Sequence, residues 1–207
     1  MPAVDRATLI AEIHRIFNKA REDGLEVWLI GGWAIEAQVP AAGRAHEDVD
    51  VAVALRDMGG FTALLEELGY TFPPDRQSPL RPEARRGEIV VQGAALKFGP
   101  RLVLMSVAGD AWLRCMREWF PAKNDCALGE LLMRCARPEA LLVSKLSSPW
   151  PNLGLIKTIV YQDDTRHLVK HLAPGSAEEV LYERLAQVTT DCDLLGCCPW
   201  NEPRFEG

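Results

Sequence analysis

The sequence predicts an α+β fold, and three observations carry that expectation. A strand-type run ends in paired glycines and is followed by a helix and a second strand (27–53). A two-run hairpin pattern spans 89–107. Helical periodicities frame both, at 7–20 and 58–68 before the hairpin and again from Pro138 onward.

The opening helix runs from Ala7 to Ala20. Leu9, Ile10, Ile13, Ile16, Phe17 and Ala20 recur at three- and four-residue steps and make one apolar stripe. Asp5 is available as its cap, Gly24 stands at the following turn, and His14 falls on the polar side. Val27 to Ile30 reads as a short strand stopped by Gly31-Gly32, and Trp33 to Ala37 has helical composition. Paired glycines at a strand-to-helix junction leave backbone N–H groups exposed at the positive end of a helix, which suits a phosphate. A second strand begins at Asp48. Asp48 and Asp50 project from one face with Cα atoms ~7 Å apart, while Val49, Val51 and Val53 face a core. Two carboxylates facing a phosphate-binding turn suit a divalent metal carrying a nucleoside triphosphate.

Met58 to Leu68 reads as a second amphipathic helix, with Phe61, Leu64, Leu65 and Leu68 on one face. Residues 71–88 hold Pro73, Pro74, Pro79 and Pro82 together with Arg76, Arg81, Arg85 and Arg86. They are expected to form a surface loop, or a mobile flap whose arginines reach a triphosphate. Ile89–Phe98 and Arg101–Val107 flank Gly99-Pro100 as a hairpin. Asp110 to Phe120 has helical spacing, and Leu131 to Cys135 reads as a strand. Pro138 and Glu139 suit the first turn of a helix that reaches Leu146. A break at Ser147–Gly154 leads to a helix over Ile156–His171 and then to a capping box, Ser176-Ala177-Glu178-Glu179, that starts a last helix.

Composition bounds the function classes. The 207 residues, 48% of them hydrophobic, suffice for one globular core with a helical appendage. A net charge of −6 argues against a broad basic face for nucleic acid and is compatible with a cationic small substrate. No apolar run has the length of a membrane span, and the N-terminus lacks a signal-peptide pattern, so a cytoplasmic protein is expected. Cys115, Cys126 and Cys135 lie among apolar residues and read as small buried hydrophobes. Cys192, Cys197 and Cys198 lack the paired C-x-x-C spacing of a zinc site, and His167 with His171 lacks further ligands.

The segment Gly31-Gly32-Trp33-Ala34-Ile35-Glu36-Ala37, followed by His46-Glu47-Asp48-Val49-Asp50, resembles the signature of the DNA polymerase β-type nucleotidyltransferase superfamily. Within it, the pattern is similar to the aminoglycoside 2''-O-nucleotidyltransferase and lincosamide nucleotidyltransferase branch. Glu36 stands where that branch has an aspartate. The resemblance implies a small mixed-sheet catalytic core over residues 1–150 with flanking helices. It also implies a C-terminal helical region, 151–207, packed on that core. It implies a metal-dependent enzyme, with Mg²⁺ or Mn²⁺, that moves a nucleoside monophosphate from an NTP to a hydroxyl of a small, aminoglycoside-like acceptor. ATP is the expected donor. The resemblance gives Asp48 and Asp50 the catalytic and metal-binding roles, and makes Gly31, Gly32 and Trp33 the expected nucleotide-binding residues. Lys145 is either a phosphate ligand or a solvated helix lysine.

The family carries a third carboxylate on a strand after a hairpin turn, beside the aspartate pair. The strand expected to correspond, Leu102–Val107, has no acidic residue. Glu88 and Asp110 are the displaced alternatives for that third carboxylate. Two other functions stay open: a toxin-type transferase acting on protein or tRNA, and a non-catalytic nucleotide-binding relative.

Overall fold

The computed structural model describes residues 4–39, 45–74, 78–107, 112–146, 155–172 and 175. Helix α1, Arg6–Glu22, is capped by Asp5, whose carboxylate accepts the Thr8 N–H at 3.0 Å. It leads into strand β1 (Val27–Leu29), helix α2 (Gly31–Gln38) and strand β2 (Asp48–Ala54). Helix α3, Met58–Glu67, is followed by strands β3 (Glu83–Arg86), β4 (Ile89–Phe98), β5 (Leu102–Ser106) and β6 (Trp112–Met116). A short hairpin, β7 (Cys126–Leu128) and β8 (Leu131–Met133), precedes helices α4 (Pro138–Leu146) and α5 (Leu155–His171).

The main sheet has six strands and is mixed. It runs β1-β2-β4-β5-β6, with β3 also paired to β4. β2 and β4 are parallel and the other pairs are antiparallel. Because β2 occupies one edge of β4 over residues 90–96, β3 and β5 must follow one another along its other edge. The core joins the apolar stripe of α1 (Leu9, Ile13, Ile16, Phe17) to Phe61, Leu64 and Leu65 of α3 and to Val49, Val51 and Val53 of β2. These positions repeat with period 3.6 on the helices and period 2 on the strand; β2 alternates only over Asp48–Val51, and beyond it Ala52 and Ala54 bury the second face as well. Helix α5 packs against α4, and its Leu168 is fully buried in the same core.

Three sequence expectations need correction. The segment 110–120 contains no α-helix among its described residues. It holds strand β6 and a single 3-10 turn, Arg117–Trp119. Leu113 and Cys115 are buried while Arg114 between them is exposed, so the period-2 pattern prevails once β5 offers a free edge. The supposed loop 71–88 contains β3, with Pro82, Glu83 and Ala84 buried. Its prolines lie before the strand, so they do not interrupt it. Finally, the strand beside the aspartate pair is β4, not β5.

Cys115, Cys126 and Cys135 are buried free thiols. His14 is half-buried, and its Nε2 lies 2.6 Å from the Leu128 carbonyl. His167 is within hydrogen-bonding distance of the Asp163 carbonyl on its own helix. The capping box at Ser176 and the three C-terminal cysteines lie outside the described residues, as does the 150/151 boundary. Among the described residues, no helix is long and apolar enough to cross a membrane.

Candidate active site

Strand β1 ends at Leu29, and α2 begins at Gly31 with Ile30 as its N-cap residue. Ile30 makes no side-chain cap, so the first N–H groups of α2 have no side-chain acceptor at that position. Gly31 has φ +66° and cannot be replaced without strain. A Cβ built there would lie 2.7 Å from Cβ and Cγ of Asp50 and closer still to its Oδ2. The glycine therefore lets the start of α2 rest directly on the Asp50 carboxylate. A backbone bond, from Ile30 N–H to the Asp50 carbonyl at 3.0 Å, fixes the two segments together.

Asp48 and Asp50 share the half-exposed face of β2, and Val49 and Val51 are fully buried on the other face. Trp33 supports this strand from α2. Its indole N–H donates to the Asp48 carbonyl at 3.0 Å, and its ring is 1% exposed. A ring so buried has no face to offer a nucleobase, so Trp33 can meet a phosphate only through its backbone N–H.

Behind Trp33 sits a buried polar group. The His46 ring packs on the indole with centroids 4.3 Å apart, and its Nε2 lies 2.9 Å from Glu36 Oε2. Arg6 binds the other oxygen of Glu36 through Nε at 3.1 Å and also through Nη2. Burial pushes the Glu36 carboxyl up, but the bonds from Arg6 and then His46 outweigh it and hold the group below its ordinary value. Glu36 thus serves as a satisfied anchor for His46, two residues before β2.

The β2–β4 register sets Asp50 opposite Gln92, and the β3–β4 register sets Glu83 opposite Gln92. Registered neighbours share a sheet face, so Asp50, Gln92 and Glu83 form a row across three strands. Gln92 Nε2 lies 3.5 Å from Glu83 Oε2, while Arg85 holds Oε1 at 2.8 and 3.1 Å. Sequence reading missed both Gln92 and Glu83. Gly87-Glu88, with Gly87 at φ +58°, forms the turn that joins β3 to β4, but only the pairing of β4 with β2 and β3 places the two residues beside Asp50.

Of the other expected residues, Glu88 and Lys145 are not members of this row. Glu88 is exposed in that turn, before the first residue of β4. Asp110 lies outside the described residues. The ammonium of Lys145 is 2.9 Å from Asp164 Oδ2 on α5, and both side chains are largely buried. It is therefore not a solvated helix lysine. Among the described residues, no group of three or more His, Cys, Asp and Glu side chains is assembled to hold a metal. A cleft of about 680 Å³ opens at the opposite end of the sheet, lined in part by Glu26, Trp28, Arg56, Phe98, Arg117 and Glu118 and by neither Asp48 nor Asp50.

Comparison with known proteins bears on the fold and on the sequence of the first half of the chain. Residues 12–101 match the family model of aminoglycoside-2''-adenylyltransferase. Curated 2''-aminoglycoside nucleotidyltransferases of Escherichia coli and Klebsiella pneumoniae are 37% identical over 62 residues, covering 30% of this chain and 35% of each relative. The match thus spans about a third of those relatives' length. The solution structure of the antibiotic-resistance factor ANT(2'')-Ia superimposes with TM-score 0.69 at 21% identity, over 93% of this chain and 97% of that one. The lincosamide antibiotic adenylyltransferase LnuA, with lincomycin bound, gives TM-score 0.60 at 17% identity, over 83% and 100%. ANT(2'')-Ia with adenylyl-2''-tobramycin gives 0.64 at 23%, over 89% and 99%. In its fold, and in the sequence of residues 12–101, this chain resembles the antibiotic-modifying nucleotidyltransferases of the aminoglycoside-2''-adenylyltransferase type.

Proposed function

We propose that the protein transfers a nucleoside monophosphate from an NTP, with ATP as the expected donor, to a hydroxyl of a cationic, aminoglycoside-like acceptor. The carrying observation is the Asp48–Asp50 face lying directly under the glycine start of α2, with Gly31 against the Asp50 carboxylate. The N–H groups of Gly31, Gly32 and Trp33, at the N-terminus of α2, would donate to phosphate oxygens. Asp48 and Asp50 would hold Mg²⁺ or Mn²⁺. A two-carboxylate donor set fits such an ion, which takes its other ligands from phosphates and water. When bound, the ion neutralises charge building on the phosphates.

The chain's own residues orient the reactants. The α2 N-terminus fixes the triphosphate, and the Trp33 bond to the Asp48 carbonyl keeps the carboxylate strand from shifting. The net charge of −6 and the acidic face favour a polycationic acceptor. Lys145 belongs to this proposal only if the nucleotide draws its ammonium away from Asp164.

Incubation with each of the four NTPs, Mg²⁺ and an aminoglycoside panel tests the reading. Mass spectrometry should show the acceptor gaining one nucleoside monophosphate with release of pyrophosphate. A folded protein that modifies no aminoglycoside with any NTP contradicts it. A second reading, nucleotide binding without transfer, is favoured by Gln92, an amide where the register would otherwise place a third carboxylate next to Asp50. Magnesium-dependent binding with no product would select that reading.

A further inference from the structure

We infer that Glu83 accepts the proton of the attacking hydroxyl, an assignment that rests on the transfer reading above. In the transfer, a bond forms between the acceptor oxygen and the α-phosphorus. The bond from that phosphorus to its bridging oxygen breaks, pyrophosphate leaves, and the hydroxyl proton must pass to a base. Asp48 and Asp50 are poor choices for that base if they hold the cation. Gln92, in register with Asp50, has an amide that does not take up protons near neutral pH.

The next position in the same row is Glu83. Adjacent strands are about 4.8 Å apart, so Asp50 and Glu83 stand roughly 10 Å from each other at their backbones, with Gln92 between. A hydroxyl above Gln92 would have the phosphate-binding side on one flank and a carboxylate on the other. Glu83 is 9% exposed and positioned on both sides. Arg85 holds Oε1, and Oε2 faces the Gln92 amide.

The register that brings Glu83 here is locked independently. The N–H of Gly93 donates to the Pro82 carbonyl at 2.8 Å, and that of Ala95 donates to the Leu80 carbonyl at 2.9 Å. The Ser106 hydroxyl donates to the Leu80 carbonyl and accepts the Ala95 N–H, each at 2.8 Å. Pro82 packs so closely on Gly93 that a Cβ there would lie 2.9 Å from its ring. A one-residue slip would turn Glu83 to the opposite face and break all of these contacts.

The test uses the full chain, Mg²⁺, an NTP and an acceptor the native protein modifies. Glu83→Gln keeps shape and hydrogen-bonding capacity and should lower kcat about 10²- to 10⁴-fold. Calorimetric binding of a Mg²⁺-loaded ATP analogue should stay within about threefold of native. The acid limb of the pH–rate profile should vanish in Glu83→Gln and persist in Glu83→Asp, a difference that a purely structural role would not produce. Gln92→Asp added to Glu83→Gln should recover at least about tenfold, by placing a carboxylate one strand nearer. A Glu83→Gln protein with native kcat and an unchanged acid limb overturns the assignment while leaving the transfer reading intact. A native protein that transfers nothing to any acceptor overturns the reading itself, and the assignment with it.

Discussion

Gly31 tests how the site is built. Replacing it with alanine imposes two separable costs. The first is conformational: φ +66° lies in the left-handed region, where a side chain costs roughly 1–2 kcal/mol. The second is contact, since the new Cβ would sit 2.7 Å from Cβ and Cγ of Asp50, which ordinary carbon contacts never allow. Either the Asp50 carboxylate or the start of α2 must move. Gly24 supplies the control. It has φ +71° but nothing within 4 Å of a built Cβ, so Gly24→Ala bears the conformational cost alone. In urea denaturation, Gly24→Ala should lose about 1–2 kcal/mol. Gly31→Ala should lose about 1 kcal/mol or more beyond that, in the range typical of overpacking. In calorimetry, Gly24→Ala should bind a Mg²⁺-loaded ATP analogue like the native protein, and Gly31→Ala should bind at least about tenfold more weakly, the factor that 1.4 kcal/mol represents. Equal stability losses, or native binding by Gly31→Ala, would refute the close approach of α2 to Asp50.

Other consequences follow from named contacts. Trp33→Phe removes the donor to the Asp48 carbonyl and should cost about 1–3 kcal/mol in denaturation, with weaker Mg²⁺-dependent nucleotide binding. Glu36 is held below its ordinary value of 4.5, so its contribution to stability is complete above that pH and is lost as pH falls through the depressed value. Stability measured from pH 6 down to 3 should therefore fall more steeply in the native protein than in Glu36→Gln. Lys145→Met removes an ion-pair partner of the buried Asp164 carboxylate and should cost up to about 3–5 kcal/mol, and adding Asp164→Leu should recover most of that loss in a double-mutant cycle. Chelation by EDTA should stop transfer, with Mg²⁺ or Mn²⁺ restoring it, whereas metal-independent turnover would contradict the role given to Asp48 and Asp50.

The helices with an apolar stripe were legible because a long periodic pattern has few competing arrangements, and α1 and α3 fall where their stripes predict. Asp48 and Asp50 were legible because strand alternation fixes which residues share a face. Segment 110–120 was too short to separate period 2 from period 3.6. Trp112, Leu113 and Met116 suit either element, and pairing with β5 decided the matter from outside the segment. Glu83 was hidden for a related reason. Proline density marked 71–88 as a loop, and only the strand register shows that a residue after Pro82 faces Gln92. The sequence also offered no reason to prefer the Gly87-Glu88 turn over Gly99-Pro100 as the one preceding the strand beside β2. Strand adjacency is a long-range property, and local patterns do not encode it.

The most direct measurement is calorimetric titration with a non-hydrolysable ATP analogue, with and without Mg²⁺, on the native chain and on Asp48→Asn/Asp50→Asn. Magnesium-dependent binding by the native chain that is lost in the double variant, with circular dichroism unchanged, is the predicted result. Absence of binding to ATP, GTP, CTP and UTP analogues by the folded native protein would contradict the account at its centre.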